Sequence, residues 1–268
     1  MSNALKIALS AAAVVVVAVV GFSLLPGGSG PGGAGVSPSA ATPSISAPPS
    51  SAPSSAPTAE AGLPQGPFVV TAADEPVQIT VDIASSGWDS LPDFNVLSKN
   101  DDSLDPPETV GGSLVAWVWP AGTRFQVFGD PCHWSTTIPE TLATTPDEIA
   151  AAFASQTVSA PTAPADVTVG GYTGKTVTLQ VPMSYEVPGA TREEEFGECD
   201  EDQYVYYGTE AADGTSIERN AQGPGQIDEL MILDVNGSIV ILDVATSPAT
   251  PADLLEELRT LAKSANFE

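Results

Sequence analysis

Leu230-Met231-Ile232-Leu233-Asp234-Val235-Asn236-Gly237-Ser238-Ile239-Val240-Ile241-Leu242-Asp243-Val244 reads as two strands, Leu230 to Val235 and Ser238 to Val244, joined by Asn236-Gly237. Asn-Gly between apolar runs is the strongest short hairpin signal, because these two residues tolerate the positive φ angles of a two-residue turn. A β-rich domain is therefore expected around this hairpin.

Working outward, the flanking sequence adds strands. Val77 to Ile83 alternates apolar and polar residues, as a half-buried strand does. Gly87-Trp88 opens a loop around Pro92. Leu114 to Trp119 is apolar throughout and Thr123 to Phe128 alternates, with Pro120-Ala121-Gly122 between them as a turn. Val167 to Val169 and Lys175 to Val181 flank the tight connection Gly170-Gly171-Tyr172-Thr173-Gly174, and Gln203 to Tyr207 is a further strand.

Two helices are marked by their starts. Thr145-Pro146-Asp147-Glu148 is a capping-box pattern with Pro at the first helical position, and Thr250-Pro251-Ala252-Asp253 repeats the device near the end. Leu254, Leu258, Leu261 and Ala265 form one stripe of the second helix, widened by Leu255 and Ala262. Phe267 is placed to pin the terminus against the sheet. The expected fold class is α+β, a mainly antiparallel sheet with two helices packed on one face.

The chain before this domain has two other compositions. Residues 7–25 form a run of nineteen residues without a charge, long enough as a helix to cross a hydrocarbon core of roughly 30 Å. Lys6 precedes the run and the next basic residue is Lys99, so the positive-inside rule puts residues 1–6 in the cytoplasm and the rest outside. A cleaved signal peptide is the alternative reading, and both export the same domain. Residues 26–65 are almost wholly Gly, Pro, Ser, Ala and Thr, a composition expected to form a disordered linker spanning about 35 Å. Residues 66–268 are the expected extracytoplasmic domain.

Charge and cysteine usage limit the partners. The chain has 34 acidic and 8 basic residues, a net charge of −26. That balance argues against nucleic acid and against anionic lipid or wall polymers, which it would repel. Cationic partners, divalent ions and simple solubility remain compatible. Cys132 and Cys199 are the only cysteines, and an even pair in an exported domain reads as one disulfide. With a single histidine, His133, the chain is poorly supplied for a zinc site.

A resemblance rests on Gly87-Trp88, Asp130-Pro131-Cys132-His133-Trp134, Gly170 to Lys175, Gly223-Pro224-Gly225-Gln226-Ile227-Asp228, the strand ending at Gly237 and the closing Ser264-Ala265-Asn266-Phe267-Glu268. Together these resemble the outer domains of uncharacterised membrane-anchored proteins of actinobacterial type. The hairpin with its terminal helix is also remotely similar to the PsbP-like α+β fold. Neither resemblance implies an activity or catalytic residues.

Candidate sites are few. No Gly-x-Ser-x-Gly elbow and no phosphate-binding glycine motif is present. Glu193, Glu194, Glu195, Glu198, Asp200, Glu201 and Asp202 put seven acids into ten positions, either a solvated loop or a site for a divalent cation or cationic partner. Trp117 and Trp119 share one strand face and Tyr204 and Tyr206 another, either core or a row able to stack on a ligand. No cofactor is expected. The leading expectation is a non-enzymatic binding or sensor-like module of the cell envelope, anchored through residues 7–25, with an envelope protein or glycan as ligand. The alternative is a surface hydrolase using Asp/Glu carboxylates, with His133 in support.

Overall fold

The computed structural model describes residues 62–99, 111–135, 141–185, 196–210 and 216–268. The expected membrane segment 7–25 and nearly all of the linker lie outside them. Among the described residues no helix is long and apolar enough to cross a membrane.

Strands β1 (Gly66–Val69), β2 (Ile79–Ile83), β3 (Asp89–Leu91), β4 (Val96–Lys99), β5 (Gly112–Trp119), β6 (Arg124–Val127) and β7 (Thr141–Ala143) precede helix α1 (Pro146–Ala154). They are followed by β8 (Ala165–Val169), β9 (Tyr172–Gln180), β10 (Val205–Glu210), β11 (Ser216–Asn220), β12 (Ile227–Val235) and β13 (Ser238–Thr246). Helix α2 (Ala252–Lys263) and the short β14 (Asn266–Phe267) close the chain.

The predicted hairpin is the centre of the fold. Asn236 and Gly237 take φ angles of 55° and 93°, and the Gly237 amide donates to Asp234 Oδ1 at 2.7 Å. β12 and β13 pair along their whole length, from Val235 opposite Ser238 to Ile227 opposite Thr246. They form the middle of a seven-stranded sheet ordered β3-β4-β5-β13-β12-β9-β8. A four-stranded sheet, β11-β10-β6-β7, and a three-stranded sheet, β1-β2-β14, complete the described residues. The strand pairs described are all antiparallel.

The large sheet is covered on both faces, which explains the consecutive apolar residues within β5, β12 and β13. Successive side chains of a strand point to opposite faces. Val240, Leu242 and Val244 accordingly join one core with Leu114, Ala116, Leu254, Leu258 and Leu261. Ile239 and Ile241 join the other with Trp119, Phe125, Ile149 and Phe153. Helix α2 and the three-stranded sheet cover the first face; α1 and the four-stranded sheet cover the second. The helices therefore pack on opposite faces, a correction to the one-face arrangement expected from sequence. Each amphipathic stripe has a partner, but periodicity carries no information about which side of the sheet that partner occupies.

The two helix starts differ. Thr145 Oγ1 accepts from the Glu148 amide at 3.3 Å, while Glu148 Oε2 accepts from the Thr144 amide at 3.0 Å. At α2 the capping position is Pro251, without a side-chain cap. Thr250 Oγ1 instead donates to the Gly111 carbonyl at 2.7 Å and accepts from the Ser247 amide at 2.9 Å. The predicted second capping box is thus spent on holding the chain leaving β13 against the entrance to β5. Phe267 does pin the terminus, as part of β14 beside β2 and edge-on to Tyr172 at 5.6 Å.

Gly174 shows how closely β9 and β12 meet. A Cβ there would overlap the Ile232 carbonyl oxygen, a backbone atom that cannot swing aside. Gly174→Ala is expected to lower the unfolding free energy by about 3 kcal/mol through overpacking, checked by urea denaturation. An unchanged midpoint would refute this close approach.

Candidate functional site

The first candidate is an open groove of about 320 Å³ running along α2. Asp82 and Ala84 line it from the end of β2; Asp253, Glu256, Glu257, Thr260 and Leu261 line it from the helix, and Trp88 lies beneath. Helical spacing explains the composition: residues three and four apart share a face, so Asp253, Glu256, Glu257 and Thr260 line up along the exposed flank. Trp88 is fully buried and presents its indole N–H to Glu257 Oε1 at 3.1 Å.

Glu257 is the organising residue. Lys99 Nζ lies 3.1 and 2.9 Å from its two oxygens, 2.7 Å from Ser85 Oγ and 5.7 Å from the Trp88 ring centre. Ser85 Oγ also donates to Glu257 Oε1. Burial raises the affinity of this carboxylate for a proton, but the hydrogen bonds from Ser85, Lys99 and Trp88 outweigh it and hold Glu257 below the usual range. Ser85 therefore sits beside an ionised pair rather than beside a free base. Glu256 pairs with Arg259, whose guanidinium also grips Glu229 on β12. Asp82 and Asp253 face the same groove, and neither pairs with a basic side chain among the described residues.

A second open groove, of about 570 Å³, lies between the start of α1 and the β8–β9 hairpin. Lys175 Nζ bridges Asp166 Oδ1 at 2.6 Å and Asp147 Oδ1 at 3.2 Å, with Asp234 on the same rim. Both bridged carboxylates are highly exposed, so these pairs contribute little to stability.

At the corner where β6 ends and β10 begins, Cys132 and Cys199 are bonded, both buried beside Phe196 and Tyr204. Asp130 Oδ1 accepts from the amides of Cys132 and His133 at 3.1 and 3.3 Å. Its other oxygen lies 2.9 Å from His133 Nδ1, and that hydrogen bond raises the imidazole's affinity for a proton. Asp200 Oδ2 accepts from the Ser135 amide at 3.0 Å and the Ser135 hydroxyl at 2.8 Å.

The described members of the acidic segment do not converge on one point. Asp200 is used as a loop clamp, while Glu198, Glu201 and Asp202 are exposed. Among the described residues no three Asp, Glu, His or Cys side chains converge as they would around a metal ion. Glu193, Glu194 and Glu195 lie outside the described residues.

Of the two readings of the aromatic pairs, the structure shows the core one. Trp119, Tyr204 and Tyr206 are buried, and Trp117 packs partly buried against the same core. Trp117 stacks on Trp119 with ring centres 6.2 Å apart, and Tyr204 meets Tyr206 edge-on at 5.4 Å. The spacing correctly places each pair on one face, but the two large sheets close over those faces. These rings form core, not a ligand platform.

Sequence reasoning missed a buried charge cluster in that core. Arg219 on β11 donates through Nη2 and Nε to Asp243 Oδ2 on β13, at 2.8 and 3.2 Å. Its Nη2 lies 3.4 Å from Asp228 Oδ1 on β12. Asp228 further accepts from the Tyr206 hydroxyl and from Gln226 Nε2, each at 2.6 Å. Asp228 and Asp243 are each 1% exposed and Arg219 5%. A signal was present: Asp243 interrupts an apolar run buried on both faces, where a carboxylate needs a partner.

Comparison with protein-family models and with curated proteins finds no match for this chain.

Proposed function

We propose that this chain is a non-enzymatic binding or sensor-like module of the cell envelope that receives a cationic ligand in the α2 groove. Residues 7–25 anchor it in the membrane in this reading, residues 26–65 act as its stalk, and the domain faces outward. One observation carries the choice of ligand: Asp82 and Asp253 flank the exposed Ala84 without a basic partner among the described residues, and the neighbouring cation Lys99 is already held by Glu257. These carboxylates attract a basic side chain, and the exposed Ala84 gives its aliphatic stem an apolar contact. A basic segment of an envelope protein fits this chemistry. The net charge of −26 would steer such a partner toward the domain.

The test uses the full chain in nanodiscs, titrated with a lysine-rich peptide and, separately, with a glutamate-rich one. The Trp88 indole N–H is the reporter. The expected result is saturable, salt-sensitive binding of the basic peptide alone, weakened roughly tenfold in Asp82→Asn/Asp253→Asn, about 1.4 kcal/mol. Asp147→Asn, in the other groove, should leave it unchanged. Equal binding of both peptides, or no loss in the double variant, would reject the groove as the binding site.

A further inference from the structure

The core between the seven- and four-stranded sheets holds two carboxylates and one guanidinium, all nearly removed from solvent. Ionising both carboxylates would leave one uncompensated negative charge in an apolar surround, which is costly unless a proton is retained. The partners of the two acids are unequal. Asp228 accepts hydrogen bonds at both oxygens, from Tyr206, Gln226 and Arg219. Asp243 is bonded through Oδ2, and its buried Oδ1 has no hydrogen-bond partner. The Tyr207 hydroxyl, in the same core, also has none.

The ionisable groups facing the pair come from two further elements. The tyrosines Tyr206 and Tyr207 belong to β10, with Tyr204 just before it, and Arg219 belongs to β11. β9 and α1 contribute Val177, Leu179, Ile149 and Phe153, which are apolar. Burial raises all three tyrosines, so they stay neutral well above physiological pH. Asp228 is thus the group of the cluster whose proton balance changes in the mild range.

We propose that the cluster retains one proton, on Asp228, and that its release loosens β11, making the cluster a pH-sensitive clasp that is tight in mild acid and weaker at neutral pH. β11 is the edge strand of its sheet, paired with β10 along one side. Arg219 is the side chain by which it reaches across to β12 and β13. With one acid protonated, guanidinium and remaining carboxylate balance. With both ionised, the excess charge favours hydrating the cluster, and the edge strand is the element that can move to admit water.

The direction follows from linkage. Burial, and secondarily the Asp243 charge, raise Asp228 to about 7, against about 3.9 for a solvated aspartate. The closed form retains the proton between these values and the open form does not. Opening therefore becomes easier as pH rises through that window, by at most roughly tenfold per unit, and levels off above about 7. His133 shifts in the same direction through Asp130, so its contribution has to be separated.

Amide hydrogen exchange of the full chain between pH 5 and 8, corrected for intrinsic exchange and made in His133→Gln, tests the clasp. The expected opening constant of the β11 amides rises up to roughly a hundredfold across the range, and adding Asp228→Asn flattens that rise. A rise of the same steepness with Asp228→Asn, or no rise without it, overturns the proposal. Carboxyl carbon shifts of the unsubstituted protein give a reading independent of any variant. A proton leaving Asp228 near pH 7 supports the clasp, and an ionised Asp228 at pH 5 overturns it.

Discussion

Arg219→Met is expected to lower the unfolding free energy by about 3–5 kcal/mol at pH 7, the range for removing one partner of a buried ion pair. The replacement keeps an unbranched apolar stem and removes the charged end, so part of the packing is retained. The cost comes from Asp228 and Asp243, which remain buried without their cation. Asp228, already raised by burial and by the Asp243 charge, can partly escape by taking up a proton, so the penalty should shrink toward pH 5. Urea denaturation at both pH values checks this. A loss below about 1 kcal/mol at pH 7, or one equal at both, would mean that the guanidinium does not balance the acids. The triple replacement of Arg219, Asp228 and Asp243 by apolar residues should recover much of the loss, because a buried ion cluster is weak evidence for net stabilisation.

Removing the Cys132–Cys199 bond is expected to cost about 4 kcal/mol in the chain-entropy model, given its sequence separation of 67. The bond does more than shorten the unfolded chain. The Asp200 amide donates to the Cys132 carbonyl at 2.8 Å, and the Val205 amide donates to the Pro131 carbonyl at 2.9 Å. These contacts align the entrance to β10 with the segment after β6. A Cys132→Ala/Cys199→Ala variant should therefore show its largest rise in amide exchange at residues 196–205, with the β12–β13 hairpin least affected. Urea denaturation gives the total. A loss under about 1 kcal/mol would contradict a role for the bond in holding this corner.

Much of the fold was legible because its signals are local. Asn236-Gly237, the alternation of Thr123 to Phe128 and the cap at Thr145 each depend on residues within a few positions. β1, β3, β4, β7, β11 and β14 were not legible. They are short, from two to five residues, and depend on distant partners for their existence. β14, for example, exists because Asn266 and Phe267 meet Thr80 and Ile79. Gly170-Gly171 also proved a tighter turn than expected, with Val169 directly opposite Tyr172, so that Tyr172 to Gly174 already belong to β9.

The candidate site was less legible than the fold. Glu257 lies 169 positions from Trp88 in the chain, and no spacing rule connects it to Trp88 or Asp82. The seven-acid cluster and the aromatic pairs stood out in sequence because like residues were adjacent. Adjacency does not make carboxylates converge, and same-face placement does not leave rings exposed.

Sequence by itself determined the α+β class, the central hairpin, the two helices and the pairing of the only two cysteines, because periodicity, turn chemistry and a lone pair of thiols are properties of the chain alone. Tertiary structure decided which helix lies on which face of the sheet, that Tyr204 and Tyr206 are core, and that Arg219 meets Asp228 and Asp243 across three strands. Those outcomes depend on which surfaces bury one another, and burial is a property of the assembled layers rather than of any segment.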